Sequence, residues 1–182
     1  KFVTGKQAGR RADVARSFFV DRATDLGISP ADAQAVQITS QYTDADTGVT
    51  HVYLQQHVNG LPVQNATAAI HIGPGGRVIS ASSRFVPGAG ALAEAQRAAA
   101  SQGVDPLSPS HMIHPTHALR AAASALGVAS SGAPQLSYVG GTQREYQAID
   151  AELSFDEIPL RAQYIVTEEG IRLAWQTVLR PV

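Results

Sequence analysis

The sequence predicts an α+β protein made of two subdomains, each a helix packed on an antiparallel sheet. Three observations lead there. Hydrophobic and polar residues alternate through Val49–Phe85 on both sides of Asn59-Gly60, the dipeptide best suited to a two-residue turn with positive φ at both positions. A helical spacing of apolar residues precedes that stretch, and a second helical stripe followed by alternating runs appears beyond His114. The halves read as a loose structural repeat, without residue-level self-similarity.

In chain order, Lys1–Gly9 is a polar terminus. Arg10–Leu26 spaces Val14, Ala15, Phe18, Phe19 and Arg22 by three and four, with Gly27 as a stop signal. Phe18-Phe19 should be the knob that seats this helix on the sheet. Ser29 before Pro30 is a cap with a first-turn proline, giving one helical turn. Val36–Tyr42 reads as a strand, closed by Asp44-Ala45-Asp46-Thr47-Gly48. In the hairpin that follows, Val52, Leu54 and Val58 take one face and His51, Tyr53, Gln55 and His57 the other. Leu61 and Val63 continue the first face after the turn. Gly73–Gly76 then turns the chain into a further strand at 77–82, completing a meander. Pro62, opposite His57, has no N–H for a neighbouring strand. The hairpin tip of Val58, Asn59, Gly60, Leu61 and Pro62 is therefore expected to project beyond the sheet, by default as an ordinary turn and alternatively as a finger presented to a partner.

Residues 87–110 read as a linker with one weak, alanine-rich helix, since no large apolar residue follows Leu92 to anchor it. This sets the subdomains at 1–86 and 111–182. The second opens with a helix started by Pro115, striped by Ala118, Leu119, Ala122, Ala123 and Leu126 and ended by Gly127. Strands are expected at Leu136–Val139, Arg144–Leu153, Leu160–Thr167 and Ile171–Leu179, the last two joined by Glu168-Glu169-Gly170. Trp175 is a core anchor of the last strand.

With 182 residues the chain can bury a substantial core without staples, and it has no cysteine, hence no disulfide framework and no thiolate site. A formal charge of −1 with 16% charged residues gives no basic footprint for nucleic acid. No run is long enough to span a membrane. The first residues, KFVTGK, lack the apolar core of a signal peptide, so any such leader has already been removed.

The chain also lacks common catalytic machinery: no HExxH, no Gly-x-Ser-x-Gly, no Walker loop and no Rossmann glycines. Glu168-Glu169 and Asp156-Glu157 pair carboxylates in turns, where the burial that shifts a catalytic pKa is absent. His111, His114 and His117 place three imidazoles within seven residues, the donor type for Zn²⁺ or Cu²⁺. His114 precedes a proline and is pushed out of helical geometry, so the three cannot share a helix face, and no carboxylate stands beside them. A linker-to-helix junction is the better reading. His51, Tyr53, Gln55 and His57 are either a half-exposed polar face or a contact surface. Asn65-Ala66-Thr67 is a glycosylation sequon, but the hairpin register puts Asn65 on the face of Leu54 and Val63, buried and unmodified.

THVYLQQHVNGLPVQNATAAIHI followed by GGRVISASSRF resembles the signature of the fungalysin/thermolysin propeptide (FTP) domain. The preceding DLGIS and QYTDADTGVTHVY match that family in order and spacing. PTHALRAAASALGV and LRAQYIVTEEGIRLAWQTVL resemble the PepSY-like remainder of fungalysin proregions, with a cystatin-like arrangement of helix on sheet. The HMIHPTH segment and the alanine-rich linker depart from the family. The resemblance implies a non-catalytic proregion of a secreted, extracellular M36 zinc endopeptidase, which assists folding and blocks the cleft until cleaved. The chain itself would need no cofactor; zinc would sit in the partner catalytic domain. The candidate contacts with that partner are His51, Tyr53, Gln55 and His57, the tip residues Asn59, Gly60, Leu61 and Pro62, and the terminal Leu179, Arg180, Pro181 and Val182. Two alternatives are a free-standing cystatin-like peptidase inhibitor and a metal binder using the three histidines.

Overall fold

The computed structural model describes residues 3–105, 108, 112–128, 132–150 and 152–180. The class is α+β, as the alternation and the helical stripes require. The chain divides into two compact units, Lys1–Ala98 with Val166–Ile171 and Ala99–Ile165 with Arg172–Val182.

The first unit begins with helix α1 (Arg11–Asp21), whose Val14, Ala15, Phe18 and Phe19 are all buried. The paired phenylalanines do form the knob: their rings meet edge to face, and Phe19 meets Phe85 in the same way at 5.2 Å. The helix is shorter than the expected 10–26. After Asp21 the chain tightens into a 3-10 turn at Thr24–Leu26, and Gly27, at φ 71°, lets the Ile28 N–H bond back to the Ala23 carbonyl. Helix α2 (Pro30–Gln34) carries a capping box. The Ser29 hydroxyl accepts from the Asp32 N–H, and the Asp32 carboxylate accepts from the Ser29 N–H.

Four antiparallel strands follow in the order β1 (Val36–Thr43), β2 (Thr50–Val58), β3 (Leu61–Ile72) and β4 (Val78–Ser83). Asn59 and Gly60 adopt φ 48° and 88°, so the two-residue turn forms where the sequence placed it. His57 pairs with Pro62 and Val58 with Leu61 as expected. Beyond that point the register departs. Gln55 pairs with Thr67, so β3 carries three residues more than β2 between these pairs, and Asn65 sits there at φ 62°. An odd insertion flips the parity of the strand. Leu61 and Val63 are buried before it, and Ala66, Ala68, Ile70 and Ile72 after it. The apolar faces of α1, α2 and the sheet close one core around Phe19, Leu54, Ile70 and Ile72.

The alanine-rich segment is helix α3 (Ala89–Ser101), and it is anchored without large side chains. Ala89, Gly90 and Ala93 are buried, and a Cβ on Gly90 would lie 2.4 Å from the Ala31 carbonyl carbon. Small residues allow backbone-to-backbone approach, which the absence of large ones concealed. The Gly90 N–H donates to the buried Asp32 carboxylate at 2.8 Å.

In the second unit helix α4 (Pro115–Ala125) starts at its proline, with Leu119 and Ala123 inward. Leu126, expected on the inward stripe, closes the helix end and is exposed. Strands β5 (Gln135–Gly140), β6 (Glu145–Ile149), β7 (Ile158–Thr167) and β8 (Gly170–Thr177) follow, with Val166–Ile171 at the β7–β8 turn counted in the first unit. The strand expected to run to Leu153 stops at Ile149, because Asp150 turns the chain and its carbonyl accepts from the Leu153 and Ser154 N–H groups. β5 pairs β6 and β6 pairs β7, both antiparallel. The core gathers Leu119, Leu153, Ile158 and Leu160, with Trp175 half-buried against it and its indole N–H donated to the Ile113 carbonyl at 2.8 Å.

Candidate functional site

Alternation along β2 builds the candidate surface. Val52, Leu54, Gln56 and Val58 are fully buried, while His51, Tyr53, Gln55 and His57 stand half-buried on the opposite face. Gln56 is a polar residue inside the core, which its side-chain chemistry does not announce. Its amide bridges elements, donating to the Asp32 and Val86 carbonyls and accepting from the Val86 N–H at 2.7 Å.

The neighbouring strands add two residues that sequence reasoning missed. Tyr42 pairs with His51 across β1 and β2, and His51 pairs with His71 across β2 and β3. The Tyr42 ring stacks on His51 with centroids 4.7 Å apart and planes at 17°. His51 Nδ1 and His71 Nδ1 lie 2.7 Å apart, so one nitrogen must donate an N–H and the other accept it. Burial, then the charge of His51, holds His71 below the ordinary imidazole range. The Tyr42 hydroxyl bonds to Tyr53, which raises Tyr42 above its ordinary value. Without the β3 insertion, His51 would face Ala68 instead of His71. No residue type in the strand announces that shift.

Gln55 and His57 are already engaged with backbone. Gln55 Nε2 donates to the Val63 carbonyl at 3.2 Å, and His57 Nδ1 lies 3.1 Å from the Gln55 carbonyl, to which it donates. Burial pushes His57 down, with that bond opposing. Beside Tyr53 the face opens into a concavity of about 680 Å³, lined by Thr39, Ser40, Thr67, Ser82 and Arg84 among others. Short hydroxyl side chains, the apolar Leu54, Ala68 and Ala69, one aromatic and one cation in an open hollow suit a polypeptide surface better than an enclosed small molecule.

The other candidates are dispersed. Val58 and Leu61 at the hairpin tip are fully buried, and Asn59 donates to Gln96 of α3 at 3.1 Å. The tip therefore does not project as a free finger. Of its five residues Asn59 alone is exposed, while Gly60 and Pro62 are half-buried. Leu179 packs on the second core, and Arg180 pairs with Asp156 at 2.8 Å. Pro181, Val182 and His111 lie outside the described residues. His114 Nδ1 accepts the Thr116 N–H as the cap of α4, and His117 is exposed. Glu168 and Glu169 are exposed in the β7–β8 turn, and Asp156 and Glu157 are exposed as well. Asn65 is exposed, contrary to its expected buried place, because the insertion turns it out of the core face. Among the described residues no group of three or more His, Cys, Asp or Glu could hold a metal ion. Nor is any of their helices long and apolar enough to cross a membrane.

Residues 34–85 match the Fungalysin/Thermolysin Propeptide Motif, a span that covers all four strands of the first unit. That motif is a propeptide element of metalloproteases and is not itself catalytic. The chain is 33% identical over 70 residues to "Extracellular metalloproteinase 10" of Coccidioides posadasii, and 37% identical over 70 residues to the protein of that name from Uncinocarpus reesii. Each match covers 38% of this chain and 11% of the relative. The chain thus matches about a ninth of the length of these curated relatives.

Proposed function

We propose that this chain, which carries the fungalysin/thermolysin propeptide motif across its first sheet, is the proregion of a secreted fungalysin-type zinc endopeptidase. It serves as an intramolecular chaperone and inhibitor that covers the catalytic cleft until it is cleaved. The observation that carries the reading is the coincidence of the motif with β1–β4, so the matched residues form one folded surface. The relatives, both called extracellular metalloproteinases and both far longer than the match, favour a proregion over a free-standing inhibitor.

The physical logic is that of a template. Extracellular proteases survive by unfolding slowly, and a high barrier also slows folding. A partner surface complementary to the folding transition state lowers that barrier, and complementarity to the finished enzyme blocks substrate. In this chain the docking surface is the exposed face of β1–β4, centred on Tyr53 and the adjoining hollow. Zinc belongs to the partner catalytic domain. The two-subdomain, cystatin-like organisation with a linker at 87–110 is part of the same proposal.

The test is inhibition of the catalytic domain encoded in the same precursor by this chain added in trans. Inhibition at micromolar concentration or below is expected, together with faster recovery of activity when the denatured enzyme is refolded with the chain present. No inhibition in that range would overturn the reading.

A further inference from the structure

The imidazole pair on the docking face does not enter the reading above. His51 and His71 occupy directly paired positions on adjacent strands, and their Nδ1 atoms are 2.7 Å apart. We propose that they share one proton and hold one positive charge between them, and that a second proton breaks the contact and loosens this face's hold on the protease. The regulatory half of this inference rests on the proregion reading; the proton-sharing half does not.

The chemistry follows from the atoms. When both rings are neutral, one Nδ1–H donates to the other Nδ1. Adding a proton at the donor ring's far nitrogen makes it an imidazolium, and the bond becomes charge-assisted and stronger. The next proton has only the accepting Nδ1 to occupy. That puts two N–H groups and two positive charges at hydrogen-bond distance, and the contact cannot survive. The pair therefore titrates as a unit, with a wide interval between its two steps.

The surroundings decide which ring carries the charge. Tyr42 stacks on His51, and an aromatic face favours a cation. Asp44, just past β1, interacts with the His51 charge. Hydrogen bonds from Thr47 and, in smaller part, that charge hold its carboxyl below the usual carboxylate range. His71 has neither neighbour: its partner on β4 is Ser80, and burial opposes its protonation. Tyr53, the remaining ionisable side chain beside Tyr42, is hydrogen-bonded to it. So His51 is the cation and His71 the neutral acceptor, and the second proton must enter at His71. Because Tyr42 lies against both His51 and Tyr53, disturbing the pair disturbs the centre of the docking face.

The experiment has two arms. Nitrogen-15 NMR of the histidines in the intact chain, titrated from pH 8 to pH 4, should show two coupled, well-separated steps for His51 and His71, with the acceptor signal at His71 Nδ1 between them. Independent single steps would overturn the proposal whatever the chain's function. In the second arm inhibition of the precursor's catalytic domain is measured across the same range. The inhibition constant should weaken roughly tenfold for each pH unit below the second step, the slope of one-proton linkage. His71→Asn keeps an acceptor for His51 but takes up no proton, so its inhibition should stay flat through that interval, with its circular dichroism melt confirming the fold. Equal pH dependence in both proteins would overturn the regulatory claim. Failure of both proteins to inhibit at any pH would overturn the proregion reading, and the regulatory claim with it, while the NMR result still decides the pair.

Discussion

The two faces of β2 differ in what their side chains are used for. On one face Val52, Leu54 and Val58 are sealed from solvent, and even Gln56 spends its whole amide on backbone groups of other segments. On the other, His51 and Tyr53 make contacts with side chains on β1 and β3 that a partner could replace. Burial converts apolar area into stability at about 25 cal/mol per Å², which commits the inner face to the fold. The half-buried groups of the outer face seal no core, so their removal should cost the fold little.

The largest effects should come from crossing that divide. Leu54→Ala removes a fully buried side chain beside Phe19 and Ile70 and should cost about 2–5 kcal/mol in urea denaturation. Tyr53→Ala, one residue away, should cost about 1 kcal/mol or less, the scale of a cross-strand contact, while weakening inhibition of the protease. If the two variants lose equal stability, the contrast between the faces is wrong.

The inner face also depends on a polar clamp. The Asp32 carboxylate is buried, and burial alone would raise its pKa. Hydrogen bonds from the Gly90 and Ser29 N–H groups and the Ser29 hydroxyl outweigh that and leave it lowered. A lowered folded-state pKa contributes stability that is present above the unfolded value, near 3.9, and is lost as pH falls through the folded value. Asp32→Asn should therefore cost about 1–3 kcal/mol at pH 7, the scale of losing bonds to a buried charged group. The gap to the wild type should close as the medium is acidified below pH 4. A gap of constant size down to pH 2 would refute the clamp.

What was legible in the sequence divides along the same line. The inner face was legible because alternation, caps and an Asn-Gly turn are local signals, and the structure places Val52, Leu54, Val58 and the Asn59-Gly60 turn where they point. The docking of α3 was not, because it uses small residues against a backbone instead of a stripe of large ones. The outer face was half legible. His51, Tyr53, Gln55 and His57 share it as the period of two requires, but the junction with Tyr42 and His71 depends on a register that only three-dimensional pairing sets.

That register rests on the insertion in β3, and the smallest predicted effect probes it directly. Asn65 sits at φ 62°, a left-handed conformation that Asn tolerates through its short polar side chain and that other residues with a Cβ resist by about 1–2 kcal/mol. Asn65→Ala should therefore destabilise by about 1 kcal/mol, and Asn65→Gly should lose nothing or gain slightly. Because the parity of everything from Ala66 onward depends on this residue, the alanine variant should also disturb the His51–His71 signals in the NMR titration, although neither histidine has been touched. An Asn65→Ala protein with unchanged stability and unchanged histidine signals would mean that the pairing of β2 with β3 is fixed elsewhere, by the buried run of Ala68, Ile70 and Ile72 alone.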